Sequence, residues 1–142
     1  MAARTAVLSP NAPAPSPLMS QAVIYNNTVY CSGSLGIDHT TGKFVDGGAY
    51  ERTAKALKNL GAVLEAAGSS LSKTVKVNIF LSSMDYYADV NRAYGEAFTS
   101  DPKPVSFCAI VPLPSSRGRL IDSGSAGRAS RLRSCRLTPR WR

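Results

Sequence analysis

The sequence predicts a two-layer α+β domain, in which two helices cover one face of a mixed sheet. Four short segments are rich in apolar residues typical of strands, one of them with strict alternation, and two longer segments repeat apolar residues at helical spacing. Their order along the chain is strand, strand, helix, strand, helix, strand. A strand that follows a helix after another strand implies a right-handed crossover, which places both helices on the same face of the sheet.

The first two predicted strands form a hairpin. Residues 21–25 and 28–32 are rich in Val, Ile and Tyr, and Asn26 and Asn27 lie between them. Asparagine tolerates the positive φ that a tight hairpin turn requires. The remaining strands are predicted at residues 74–81 and 105–111. In the former, Val75, Val77, Ile79 and Leu81 are expected on one face, and Lys76, Asn78 and Phe80 on the other.

Two amphipathic helices are predicted at residues 49–67 and 86–98. The apolar face of the first helix is predicted to contain Ala54, Leu57, Leu60, Gly61, Leu64 and Ala67. A glycine at position 68 is a typical helix stop. The buried stripe of the second helix is predicted to contain Tyr87, Val90, Tyr94 and Phe98.

Charge and composition divide the chain of 142 residues into three parts. Residues 1–17 form an extended, Pro-rich lead-in, residues 18–114 form the domain, and residues 115–142 form an arginine-rich tail that we expect to be disordered. Up to residue 114, nine basic and eight acidic residues leave a net charge of +1. The tail, with eight arginines and one aspartate, carries +7 of the total of +8.

Two interpretations of the tail remain open. All its basic residues are arginine, whereas the domain has six lysines and three arginines, a shift that favours an out-of-frame or mis-spliced coding sequence. The alternative is a disordered arginine-rich arm that binds RNA or anionic surfaces. An arm would follow an intact domain rather than replace its last strand, so we favour sequence disruption.

Several classes of function are disfavoured. No apolar run is long enough to span a membrane, and the N-terminus does not resemble a secretion signal, so we expect a cytoplasmic protein, with the mitochondrion as the alternative. Cys31, Cys108 and Cys135 have no metal-ligand spacing, so no metal site is predicted. Gly42-Lys43 lacks the rest of a phosphate-binding loop. The single histidine, His39, is expected in an exposed turn.

Several separated blocks of the sequence, taken in order, resemble the RidA/YjgF family of reactive-intermediate deaminases, also labelled L-PSP endoribonucleases. The blocks lie at residues 20–23, 29–36, 56–60, 64–69, 75–81 and 90–98. The resemblance covers about residues 8–114. It implies a chorismate-mutase-like (YjgF-like) fold, a homotrimer with clefts between subunits, and hydrolysis of 2-imino acids to 2-keto acids and ammonia without a cofactor.

The resemblance also implies ligand-binding residues. Ser32 and Gly33 match the cleft-lining loop, where glycine lets the backbone approach a ligand, and Asn91 matches an asparagine on the second helix. The alternatives without a ligand-binding role are that Gly33 is simply a turn glycine and that Asn91 is simply an exposed helix residue. Met19 stands where the family has tyrosine. Ser106, or Val105 if the alignment shifts by one residue, stands where the family has the arginine that binds the substrate carboxylate.

These departures predict weak or absent deaminase activity. Serine cannot form the two parallel hydrogen bonds of a guanidinium, and the final strand with the family's catalytic glutamate is not recognisable after Pro114. No catalytic residue is therefore assigned. One alternative is a non-catalytic small-molecule-binding or accessory protein. A second is RNA binding or cleavage, for which the nearly neutral domain offers no basic patch.

Overall fold

The computed structural model describes residues 3–111. Predictions for later residues, namely the missing last strand, the domain boundary at 114 and the arginine-rich tail, lie outside the described residues. Within residues 3–111 the protein has five strands and two α-helices. The strands pair both antiparallel and parallel, which confirms the predicted α+β fold with mixed sheet pairing.

Three strands form an antiparallel sheet in the order β1-β2-β3. They are β1 Thr5–Val7, β2 Ala22–Tyr25 and β3 Thr28–Cys31, and Ala22 pairs with Cys31. Asn26 and Asn27 join β2 to β3 with φ values of 48° and 58°. The predicted hairpin and the physical reason for its two asparagines are therefore confirmed.

The N-terminal segment differs from the prediction. Residues 1–17 are expected to precede the domain as a lead-in, yet Val7 pairs with Ala22 and is buried. Ala12 is buried in the same apolar cluster, together with Val63 from the first helix. This part of the chain therefore supplies a strand and core residues, which the proline pattern alone did not indicate.

Two parallel strands form the second sheet. They are β4 Lys76–Leu81 and β5 Val105–Ile110, which pair from Lys76 with Val105 to Leu81 with Ile110. Parallel neighbours need a crossover connection, here supplied by a helix. The alternation predicted for β4 is confirmed from Lys76 to Leu81, whereas Val75 precedes the strand and is 79% exposed.

Helix α1 spans Ala49–Ala66 and agrees closely with the prediction. The backbone N–H of Gly48 donates to the Glu51 carboxylate at 2.7 Å, which satisfies one of the free amides at the helix start. Gly68, at φ 75°, follows its end as predicted. The buried face is only partly as expected, because Ala54 is exposed and the polar Asn59 is buried.

Helix α2 spans Tyr87–Ala97, after a short 3-10 turn at Met84–Tyr86. Val90 and Phe98 are buried as predicted, and the ring centroids of Tyr94 and Phe98 are 4.5 Å apart. The prediction of a buried Tyr87 is wrong, since it is 38% exposed. Ala93 completes the buried face instead.

The two helices pack against each other as one layer. At their exposed edge, the Tyr50 hydroxyl donates to the Glu96 carboxylate at 2.6 Å. The Arg92 guanidinium lies 4.2 Å from the centre of the Tyr50 ring, in a cation–π contact. None of the helices in residues 3–111 has the length and apolar character needed to cross a membrane.

Candidate functional site

The first group of predicted site residues lies where the segment before β2 meets the end of β3. The Ser32 hydroxyl donates to the backbone oxygen of Ser20 at 2.6 Å, and the Ser32 N–H donates to the Gln21 oxygen at 2.9 Å. Met19 is next in sequence and 53% exposed. The structure therefore holds the Met19 segment beside Ser32, as a shared ligand site would require.

A buried amide holds the segment before Met19 in place. The Gln21 side chain accepts a hydrogen bond from the Ser9 N–H at 2.6 Å and donates to the Pro13 oxygen at 2.8 Å. It also lies within donating distance of the Ser9 oxygen, at 3.2 Å. Gln21 is 7% exposed and Ser9 3% exposed, so these groups satisfy each other away from water.

Gly33 lies at the start of the loop after β3, and its backbone is open to solvent. A Cβ built on Gly33 would meet no atom within 4 Å, and its φ lies outside the positive range. No steric or turn requirement for glycine is therefore visible in the folded chain. The open space beside the Gly33 backbone would allow a ligand to approach it closely.

The same loop is anchored on its other side by α1. The Ser34 hydroxyl donates to the Ala56 oxygen at 2.8 Å. The Asn59 side-chain amide donates to the oxygens of Leu35, at 3.0 Å, and Ile37, at 2.8 Å. We call residues 33–37 the β3–α1 loop.

Gly36 shows how closely this loop approaches the helix. A Cβ on Gly36 would lie 2.5 Å from the Arg52 backbone oxygen, a clash that only glycine avoids. The loop is therefore held against α1 both by hydrogen bonds and by close backbone packing.

The other two predicted site residues lie on different elements. Asn91 is exposed on α2, and Ser106 is exposed on β5, where it pairs with Val77. Because strand side chains alternate, Ser106 faces the side opposite Phe107. The structure thus brings together Met19, Ser32 and Gly33 and places Asn91 and Ser106 elsewhere in the chain.

The titratable groups near these residues have simple surroundings. Partial burial raises the pKa of the Cys31 thiol, one residue before Ser32. Hydrogen bonds from Thr40 hold the pKa of Asp38 well below its usual range, and bonds from Thr41 and Lys55 add to the effect. Within residues 3–111, no cluster of three or more His, Cys, Asp or Glu side chains could hold a metal ion.

Sequence reasoning missed the two amides that build this site, Gln21 and Asn59. Asn59 is buried although it lies outside the apolar face predicted for α1. Helical periodicity therefore gave no signal for its burial, and its role depends on the partners that a buried amide requires.

The second sheet presents an exposed apolar face. Phe80 is 65% exposed, Val105 is 67% exposed and Phe107 is 54% exposed. Phe107 on β5 pairs with Asn78 on β4, and Asn78 lies on the same face of β4 as Lys76 and Phe80. Paired positions in a parallel ladder share a face, so these apolar side chains are neighbours. We call Phe80, Val105 and Phe107 the apolar sheet face.

Comparison with solved structures places this fold in a known class. Yeast Mmf1 matches with a TM-score of 0.74 and 34% sequence identity, over 80% of this chain and 90% of that one. RidA from an Antarctic Psychrobacter matches with a TM-score of 0.72 and 34% identity, over 78% of this chain and 89% of that one. The protein therefore has the YjgF-type α+β fold.

The sequence comparisons are more specific. The family model described as Endoribonuclease L-PSP matches residues 9–118, and the chain belongs to this family, the RidA/YjgF family. Protein mmf1, mitochondrial, of Schizosaccharomyces pombe is 42% identical over 78% of this chain and 66% of its own length. The 2-iminobutanoate/2-iminopropanoate deaminase of Mus musculus is 39% identical over 84% of this chain and 87% of its own.

Proposed function

We propose that this chain is a Rid-family protein that binds small 2-imino acids and hydrolyses them weakly or not at all. Its similarity to the mouse deaminase, which extends over 84% of the chain, carries the assignment of ligand class. The open backbone at Gly33, beside Ser32 and Met19, supports a small ligand approaching the β3–α1 loop.

The chemistry of such a ligand sets clear requirements. Water adds to the C=N carbon, the nitrogen leaves as ammonia, and a C=O bond replaces the C=N bond. Because no electrons are gained or lost, the reaction needs no redox cofactor. The protein must bind the carboxylate, position the water and limit bulk solvent.

The serine at position 106 is the main reason to propose weak deaminase activity. We propose that it occupies the position of the carboxylate-binding guanidinium, and a hydroxyl can offer only one neutral hydrogen bond there. Removing one partner of a buried charge pair costs about 2–5 kcal/mol, and less at an exposed site. Asn91 and Met19 complete the proposed binding residues, with Met19 providing an apolar wall instead of a hydroxyl.

The direct test is keto-acid release by the full chain from 2-iminopropanoate, generated in situ by an amino-acid oxidase. A second protein would carry Ser106→Arg and a family-like final strand with glutamate in place of residues 115–142. We expect turnover near background for the native chain and clear turnover for the second protein. Rapid turnover by the native chain would show that other residues replace the arginine and glutamate.

A non-catalytic binding role is the second candidate, and the exposure of Met19 favours it. This side chain would make a ligand cleft more apolar. If both proteins in the assay are silent but apolar carboxylic acids raise their melting temperature, binding without chemistry is the better description.

We further propose a homotrimer and a cytoplasmic or mitochondrial location. The apolar sheet face supports self-association, since exposed apolar clusters mark interaction surfaces. The fission yeast relative is named as mitochondrial. Imaging the protein with a C-terminal fluorescent tag in its own cells would distinguish the two compartments.

A further inference from the structure

We propose that Asn59 is a positioning residue that fixes the β3–α1 loop in its ligand-binding conformation. The proposal rests on the proposed function, because it assigns a role in the same site. Asn59 would touch no ligand and would act through the backbone of residues 33–37.

The burial of Asn59 is the first observation. Asn59 is only 2% exposed, and it lies in α1 among buried apolar residues. An amide in that position is unfavourable unless its donors are paired. Leucine would suit the helix face better, so a requirement outside the helix must explain the asparagine.

The partners of the amide supply that requirement. Both hydrogen bonds go to the β3–α1 loop, at the oxygens of Leu35 and Ile37, and reach 22 or more residues along the chain. One planar NH₂ group thus sets the spacing of two backbone carbonyls. Ser34, which donates to the Ala56 oxygen at 2.8 Å, adds a third bond to the same helix.

The conformation of the β3–α1 loop matters for ligand binding because the exposed backbone of Gly33, in this loop, is where we propose that the ligand approaches. Ser32 is tied to Ser20 on one side of Gly33, and α1 holds the residues on the other side. The Gly33 backbone is left between two anchors and is exposed. Loosening the α1 anchor would allow this backbone to move, and a ligand would then have to order it on binding.

The test compares two variants of the full chain. Asn59→Leu removes both donors and keeps the number and branching of the side-chain heavy atoms. Val63→Ala is the matched control, because Val63 is also buried on α1 but belongs to the apolar cluster. Amide exchange by NMR is read at Ile37 and Val45, whose N–H groups bond within the loop region, and binding is read with 2-ketobutanoate.

We expect Asn59→Leu to speed exchange at Ile37 and Val45 by about tenfold relative to amides of α2, and to weaken 2-ketobutanoate binding. Val63→Ala should lower the melting temperature without either local effect. If Asn59→Leu does not fold, Asn59→Ser is compared with Val63→Ala in the same way.

Other outcomes distinguish a failure of the Asn59 proposal from a failure of the proposed function. Uniformly faster exchange in the Asn59 variant, as in the control, overturns the positioning role. Local loosening with unchanged 2-ketobutanoate affinity overturns it as well. If the wild-type chain does not bind 2-ketobutanoate while the loop loosens selectively, the ligand class fails and the anchoring by Asn59 stands.

Discussion

Two buried amides, Gln21 and Asn59, organise the candidate site. Each fixes a backbone segment through hydrogen bonds to main-chain groups, and a carboxamide suits this because it can donate twice and accept in one plane. Gln21 uses both functions on residues 9–13, and Asn59 uses its donors on the β3–α1 loop. A residue of similar size without these groups would leave buried polar atoms unpaired.

Gln21→Met should destabilise the protein by about 1–3 kcal/mol, because the buried Ser9 N–H loses its acceptor. Urea denaturation monitored by circular dichroism measures the change. Thr28→Ala, at an exposed hairpin position, serves as the control and should shift stability by less than about 0.5 kcal/mol. Equal effects of the two substitutions would contradict the role given to Gln21.

Gly33→Ala should separate stability from binding. The added Cβ meets open space, so the free energy of unfolding should stay the same or rise slightly. If a ligand approaches this backbone, the methyl group should weaken binding of 2-ketobutanoate. A variant that binds as tightly as the wild type would show that Gly33 is not part of the ligand site.

At the scale of elements, local patterns predicted most of the fold. The helices, the hairpin and the β4 alternation follow from apolar periodicity and turn residues, which act over a few positions. Strand β1 was missed because three residues before a Pro-rich stretch carry little signal. Its pairing with β2 depends on contacts between segments that local patterns do not describe.

The candidate site was predictable in part, for a related reason. The resemblance to the family indicated Met19, Ser32 and Gly33, which the structure places on adjoining segments. Gln21 and Asn59 lie within the resembling blocks 20–23 and 56–60, but no site role was assigned to them, since their role depends on which distant carbonyls they meet. Which polar residues are buried depends on tertiary contacts, so the apolar periodicity of the sequence does not predict them.

The turn after the β3–α1 loop should give the protein an acid-sensitive element. The Asp38 carboxylate accepts hydrogen bonds from Thr40 and Thr41 and pairs with Lys55 at 3.2 Å, so its pKa in the folded state is lowered. A lowered pKa contributes stability above the unfolded-state value of about 3.9, and that contribution is lost as the pH falls below it.

Asp38→Asn isolates this effect, because its amide oxygen can still accept from the turn but does not ionise. We expect the difference in urea midpoint between wild type and variant to shrink as the pH falls from about 7 to about 2.5. Glu51, whose pKa is also lowered, is present in both proteins and cancels in the comparison. A difference that does not change with pH would rule out the assigned role of Asp38.

At the scale of the whole molecule, charge and apolar surface point to different partners. Residues 1–114 carry a net charge of only +1, so they lack the charge that would attract nucleic acid. The second sheet instead exposes Phe80, Val105 and Phe107 on one face, which they share with Lys76 and Asn78. This distribution favours association through apolar contact, which supports the proposed homotrimer.

Phe80→Ser should therefore shift the protein towards monomer, as measured by sedimentation velocity at several concentrations. Leu8→Ser, at a residue that is 71% exposed and outside the apolar sheet face, is the control and should leave the assembly unchanged. A wild-type chain that sediments as a monomer at every concentration would contradict the trimer.

We propose that the chain binds 2-imino acids at a site in which Ser106 stands where the family has its carboxylate-binding arginine. The most direct measurement is the affinity of the full chain and of Ser106→Arg for 2-ketobutanoate, by titration calorimetry, with Ser106→Lys as a control that adds charge without a planar fork. We expect binding at least about tenfold tighter for Ser106→Arg than for wild type, and a smaller gain for Ser106→Lys. Equal affinity of wild type and Ser106→Arg would contradict it.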